Sequence, residues 1–259
     1  MFVGTEIAFD PRLSKTEKVY IRLLGAPISG LRIRVRRVLP ALTGSCESIL
    51  DAGCGLGVFS FEMAKRFKAA KVLGIDMDAE QIAANKTIAR QAGLANLSFA
   101  VQDATRLTFD NEFDLILSVD VIEHVEDDLS VCRGICKALK PGGRLIMHVP
   151  AMYRWWIIFG KRLNFTHEKG HVRPGYTPVS ISELLARAGL VVDDVKYTYG
   201  WLETVTNNIA NIISRGSKSN KWLYALVFPL LLFISYWGQF SNPKEGSGVL
   251  VRAHKKNDN

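Results

Sequence analysis

Between Ser48 and Pro150 the chain alternates short apolar runs with helical patterns, and that alternation leaves it few folds to choose from. The runs SILDAG, KVLGID, LSFAVQD, FDLILSVD and GRLIMHVP read as strands, each short and rich in Val, Ile, Leu or Phe. Between them the spacing predicts helices near Phe59 to Phe67, Ala79 to Ala92 and Asp127 to Leu139. Strand and helix in turn make βαβ units, hence an α/β fold with a parallel, doubly wound sheet. Ligands of such sheets sit beyond the carboxyl ends of the strands.

In this chain that rim is acidic. The first strand runs into DAGCGLG, where Asp51, Gly53, Gly55 and Gly57 build a tight turn whose bare backbone lets amides approach a ligand. Asp76 ends the second strand, placed to accept the two hydroxyls of a ribose. Asp103 and Asp120 end the next two. Crowding four carboxylates at one rim is costly, so packing alone does not account for them.

These residues carry a resemblance. Residues 45–150, with ILDAGCGLG, GIDMD, VQDATRL, FDLILSVDVIEHV and LKPGGRLIMHVP, resemble a class I S-adenosylmethionine-dependent methyltransferase, with the five motifs in family order. The resemblance implies a Rossmann-like sheet of seven strands whose last, from Gly246 onward, inserts antiparallel. It implies S-adenosylmethionine as cofactor, with Asp51, Gly53, Gly55 and Gly57 at its methionine end. Asp76 then takes the ribose, Met77 the adenine face, Asp103 and Ala104 the adenine edge, and Asp120 the remaining strand end. DAGCGLG and LKPGG separate the chain from nicotinamide dehydrogenases, and an acidic rim suits a cationic sulfonium better than a pyrophosphate.

The stretch WLYALVFPLLLFISYW, Trp222 to Trp237, is uncharged and lies between the last two expected strands. Its length approaches that of a hydrocarbon core, but a single crossing would strand the final β-strand on the wrong side of the bilayer. With Pro229 at its middle, a bent in-plane or re-entrant helix is expected, or two short ones. Trp201, Trp222, Tyr236 and Trp237 mark its ends, and Arg215, Lys218 and Lys221 precede it, as at a membrane interface. SGLRIRVRRVLPAL predicts a second basic amphipathic helix, with Leu31, Val35, Val38 and Leu42 on one stripe and arginines 32, 34, 36 and 37 around it. YRWWIIFGKR is a third such patch. The charge of +8 is uneven, since residues 51–150 hold 11 basic against 14 acidic side chains and both flanks are basic. The expected organisation is a basic amphipathic helical cap (1–44), the methyltransferase core (45–199), an apolar helical insertion (200–246), and the final strand with a basic tail (247–259). A lid packed on the domain, or a dimer interface, is the competing reading of the apolar segments.

Methyl transfer to a hydroxyl needs a base, and His124 in DVIEHV and His171 in NFTHEKGHVRPGY are the candidates, with His167 a further histidine of that stretch. No metal is assigned. The DxxEH pattern also resembles the Glu-x-x-Glu-His plus His metal site of ubiquinone-pathway O-methyltransferases, which leaves open a divalent ion on Asp120, Glu123, His124 and His171, with Asp at the family's first Glu. The expected function is methylation, at oxygen, of a hydrophobic or lipid-linked small molecule on an anionic membrane surface. The alternatives are a nucleic-acid methyltransferase, disfavoured because the basic residues are interleaved with aliphatic runs, and a cofactor-binding protein of this fold without transfer. Cys46, Cys54, Cys132 and Cys136 form no paired framework and no cleavable signal opens the chain, so the expectation is a cytoplasmic protein, peripheral or monotopic on the inner face of the cell membrane.

Overall fold

The computed structural model describes residues 3–156, 161–163, 170–215 and 220–257, with backbone alone at 154–156, 161–163 and 215. Strands β1 (Ser48–Ala52), β2 (Lys71–Asp76), β3 (Leu97–Val101), β4 (Phe113–Val119) and β5 (Leu139–Pro150) are parallel. A two-stranded hairpin follows, β6 (Arg154–Trp156) with β7 (Lys161–Leu163). Then come β8 (Leu190–Thr198) and β9 (Gly248–Lys255), the latter inserted antiparallel between β5 and β8. The seven-stranded order is β3-β2-β1-β4-β5-β9-β8, so the expected α/β sheet with its antiparallel final strand is what the chain forms.

Alternation along the strands divides the core into two layers. Ile49, Leu115, Leu117 and Leu250 face one side, while Leu50, Ile116, Val249 and Val251 face the other. On the first side pack α2 (Ser29–Val38), α3 (Val58–Arg66) and α4 (Ala79–Gln91); on the second, α5 (Asp128–Ala138) and α6 (Pro178–Arg187). Helix starts are set by local chemistry. The side chains of Asp78, Asp127 and Thr177 accept N–H bonds at the starts of α4, α5 and α6, and Ser14 with Glu17 forms a reciprocal cap on α1 (Lys15–Leu24).

Helix α2 is basic and amphipathic, and Leu31, Val35, Val38 and Leu42 are buried as a stripe. The arginines, however, turn inward. Arg32 donates to Leu24 O and lies over the Phe228 ring, Arg34 pairs with Asp120, Arg36 with Ser235, and Arg37 with Glu203. The expected head-group contact by α2 is therefore corrected, because its guanidinium groups serve as internal fasteners. Residues 157–160 and 164–169, including much of YRWWIIFGKR and His167, lie outside the described residues, as do Lys218 and the side chain of Arg215.

The segment between β8 and β9 folds as α7 (Trp201–Arg215) and α8 (Asn220–Gly238), packed on each other and on α2. The two short helices allowed for at Pro229 do not form; α8 is one continuous helix with the proline inside it. Proline removes the N–H that would have bonded Ala225 O four residues back, and Tyr20 Oη donates to that carbonyl at 2.8 Å from α1. At the far end Arg37 holds the hairpin down. It binds the fully buried Glu203 carboxylate at 2.6 to 3.1 Å and donates to the carbonyls of Gly238, Gln239 and Ser241.

Candidate active site

A single cavity of about 1310 Å³ opens at the carboxyl ends of β1 to β4 and runs under α2 and α7. Its lining brings together Asp51, Gly53, Gly55, Asp76, Met77, Asp103, Ala104, Asp120, His124 and His171. Gly57 is the exception. It caps α3 at φ 73° against Asn85 and Phe61, so glycine is needed there for the turn and not for access.

The turn itself is built by its glycines and Asp76. Gly53 has φ 81°, and a Cβ on it would meet Val121 at 2.4 Å; Gly55 has φ 47° and faces open space. The Asp76 carboxylate accepts the Gly55 N–H at 2.8 Å and the Asp78 N–H at 3.0 Å, which fixes the turn against the end of β2. Asp103 accepts the Thr105 N–H at 2.8 Å, and bonds to Thr105 hold its carboxyl below the usual range. Asp51 is buried, which raises its pKa to about 7 against the opposing 2.5 Å bond from the Ser60 hydroxyl, with the Asp76 charge raising it further. Bare backbone, a buried acid and a carboxylate at the end of β2 fit a cationic nucleoside.

Asp120 adopts φ 53°, a backbone state costing roughly 1–2 kcal/mol for a residue with a Cβ. Its carboxylate is held by two partners that sequence reasoning missed. Arg34 reaches it from α2, and His148 Nδ1 donates to it at 2.7 Å while His148 Nε2 accepts from the Thr198 hydroxyl at 2.9 Å. Burial works against the charge on Arg34, but Asp120 outweighs it and the guanidinium pKa is raised. The one available signal was a histidine inside the otherwise apolar end of β5. Tyr199, at φ 61°, lines the same cavity and donates to Gly30 O at 2.8 Å.

His124 and His171 meet edge to face with ring centres 4.6 Å apart. Val172 N–H bonds Glu123 O at 3.0 Å, and Arg173 donates to the carbonyls of Val125 and Glu126 at 2.7 Å, which brings the distant segment in. Gly170 O lies 2.8 Å from His124 Nδ1, and since a carbonyl only accepts, that nitrogen is the donor, while Nε2 lies 4.0 Å from the Glu123 carboxylate. Ligand atoms of Glu123, His124 and His171 lie within 4.8 Å of one another. Asp120 is not in this group. With Asp120 engaged by Arg34 and His148, three of the four residues left open as ligands of a divalent ion stand together.

A sheet of this order, with its acids and its glycine turn gathered over β1, β2 and β4, defines a Rossmann-like enzyme that binds a nucleoside cofactor. Residues 44–172 match a family described as a methyltransferase domain, and this part of the chain is an S-adenosylmethionine-dependent methyltransferase domain, with S-adenosylmethionine as cofactor. The chain is 27% identical over 202 residues to a ubiquinone biosynthesis O-methyltransferase of Xanthomonas axonopodis pv. citri, covering 75% of this chain and 82% of that one. It is 38% identical over 103 residues to phosphoethanolamine N-methyltransferase 1 of Arabidopsis thaliana, covering 39% of this chain and 20% of the relative. In fold it is similar to Haemonchus contortus phosphoethanolamine N-methyltransferase 2 in complex with S-adenosyl-L-methionine, with a TM-score of 0.60 at 18% identity over 98% of this chain and 60% of that one.

Proposed function

We propose that the protein methylates an oxygen of a hydrophobic or lipid-linked small molecule while lying on a membrane surface. The observation that carries this is the outer face of α8. Trp222, Leu226, Leu230, Phe233 and Trp237 recur at helical spacing and are exposed, Leu226 at 78% and Trp222 at 76%, with Phe240 continuing the row. Only 22% of the helix's most apolar window is buried, although its length and composition would suffice to cross a membrane. Tyr20 docks α1 on α8, adding exposed Val19 and Leu23 with Lys15 and Arg22 beside them. Because β8 and β9 pair in one sheet, the hairpin between them leaves and returns on the same side, which supports an in-plane seat. Each Å² of that face placed in lipid contributes roughly 25 cal/mol.

Within the cavity, Asp51, Gly53 and Gly55 would hold the methionine end of the cofactor, Asp76 the ribose, and Met77, Asp103 and Ala104 the adenine. Asp120 stands at the methionine side, its charge balanced by Arg34. When bound, S-adenosylmethionine supplies an electrophilic methyl carbon whose bond to sulfur breaks, the electron pair staying on sulfur, as the acceptor oxygen bonds to it. His124 Nε2 takes the hydroxyl proton, and His171 holds the ring against rotation. The Xanthomonas relative is named an O-methyltransferase, which supports oxygen as the methylated atom.

A second reading is favoured by the cluster of Glu123, His124 and His171, whose one carboxylate and two imidazoles suit a divalent ion that would lower the acceptor hydroxyl's pKa. Loss of turnover on chelation, restored by added metal, would select it.

Flotation with anionic liposomes tests the membrane seat. The full chain should float, resist high salt and be released by detergent. Changing Leu226, Leu230 and Phe233 to Ser should release it, keep cofactor affinity, and reduce activity on a long-chain acceptor more than on a short one. A full chain that stays at the bottom of the gradient overturns the reading.

A further inference from the structure

We propose that the acceptor's head group is uncharged and rich in hydroxyls, held by a row of amide and hydroxyl side chains on α7. The inference rests on the membrane-surface methyltransferase reading and names the substrate class for it. Thr204, Asn207, Asn208, Asn211 and Ser214 line the cavity, spaced so that they fall on one stripe of the helix. Among the described residues of the same helix, Trp201, Ile209, Ile212 and, at the cavity's rim, Ser214 are exposed. A lid over a wholly apolar acceptor in water would have the opposite arrangement, apolar inside and polar outside. This roof is polar inside, and a polyene or bare isoprenoid beneath it would leave the amides facing hydrocarbon.

The chemistry of the row narrows the head group. Asparagine offers two N–H donors and a carbonyl acceptor, and neighbouring hydroxyls, each donor and acceptor, match that set. Among the described side chains of α7 no charged one lines the cavity, since Glu203 is turned away onto Arg37. A cationic head group would therefore find no counter-ion among the described side chains of the roof, and of the acids across the cavity Asp51, Asp76 and Asp103 are committed to the cofactor in the proposed reading and Asp120 to Arg34. An anionic one would face Asp51, Asp76, Asp103, Asp120 and Glu123 across the cavity, where the lining arginine, Arg34, is already paired with Asp120. Ile28 and Leu31 of the α2 region and Tyr224 of α8 line the adjoining wall and suit the start of a chain that leaves toward the apolar face.

Two sources share this chemistry, a glycosyl head group and a polyhydroxylated aromatic ring. The test measures calorimetric binding of octyl glucoside, 4-octylcatechol and octyl phosphate, each kept monomeric, to the full chain loaded with S-adenosylhomocysteine. One of the two hydroxylated probes should bind at least tenfold tighter than octyl phosphate, and which one it is names the source. Asn207→Leu and Asn211→Leu should each weaken that binding at least tenfold while leaving S-adenosylhomocysteine affinity and liposome flotation unchanged. Equal or tighter binding of octyl phosphate, binding of none of the three, or undiminished binding in both variants overturns the proposal. The comparison of probes on the unmodified chain decides it even if a variant fails to fold. Loss of flotation with head-group discrimination intact would instead remove the membrane seat alone.

Discussion

With the cofactor placed as proposed, Asp51 makes its binding a titration. Its carboxyl is 2% exposed at the end of β1, and burial lifts its pKa to about 7 from 3.8. A cationic ligand placed beside it favours the ionised form, so binding below neutral pH must release a proton. With a pKa near 7, about 3% of Asp51 is ionised at pH 5.5 and about 90% at pH 8, so affinity should rise about 30-fold, or about 2 kcal/mol, across that interval. Stability of the ligand-free protein runs the other way. The unfolded carboxyl is ionised above about 4 while the folded one still holds its proton, so this group's contribution is greatest below pH 4, is lost as pH rises to about 7, and is constant above that. Calorimetry of S-adenosylmethionine binding in two buffers of different ionisation enthalpy measures both the affinity and the proton count. Asp51→Asn should flatten the profile, and any slope that survives in it belongs to another group. An affinity constant within threefold from pH 5.5 to 8 in the unmodified protein, with no proton released, would refute the reasoning.

Two further outcomes are expected. His124→Ala should lower turnover by about 10² with cofactor affinity unchanged, since in the proposed mechanism Nε2 takes the acceptor proton and does not hold the cofactor; an equal fall in affinity would place His124 in the cofactor site instead. Arg37→Met strips the buried Glu203 of its partner and frees three carbonyls at the end of α8, a loss of about 3–5 kcal/mol that should appear as faster amide exchange in α7 and α8. Unchanged exchange there would mean the hairpin is held by packing alone.

Much of the sheet and the cofactor rim was legible from the residues in order. A strand, a glycine turn and the acid that ends the next strand are local demands on φ, ψ and hydrogen bonding, met within about 25 residues, and DAGCGLG and Asp76 state them openly. Alternation likewise told which strand residues would be inside. Position in the chain, by contrast, could not say where a long cationic side chain would point. The arginines of α2 read as a surface suited to anions, yet Arg34 crosses 86 residues of sequence to Asp120 and Arg37 crosses 166 to Glu203. Pro229 read as a bend or a division into two helices; α8 is continuous, and the Ala225 carbonyl that the proline leaves unbonded is taken up by Tyr20, 205 residues before it. The polar row of α7 is the clearest case. Its spacing was visible, but a polar stripe is ordinarily the solvated one, and only the packing of α7 over the sheet turned it toward the cavity. Periodicity determines that a helix has two faces; which face meets solvent is a property of its neighbours.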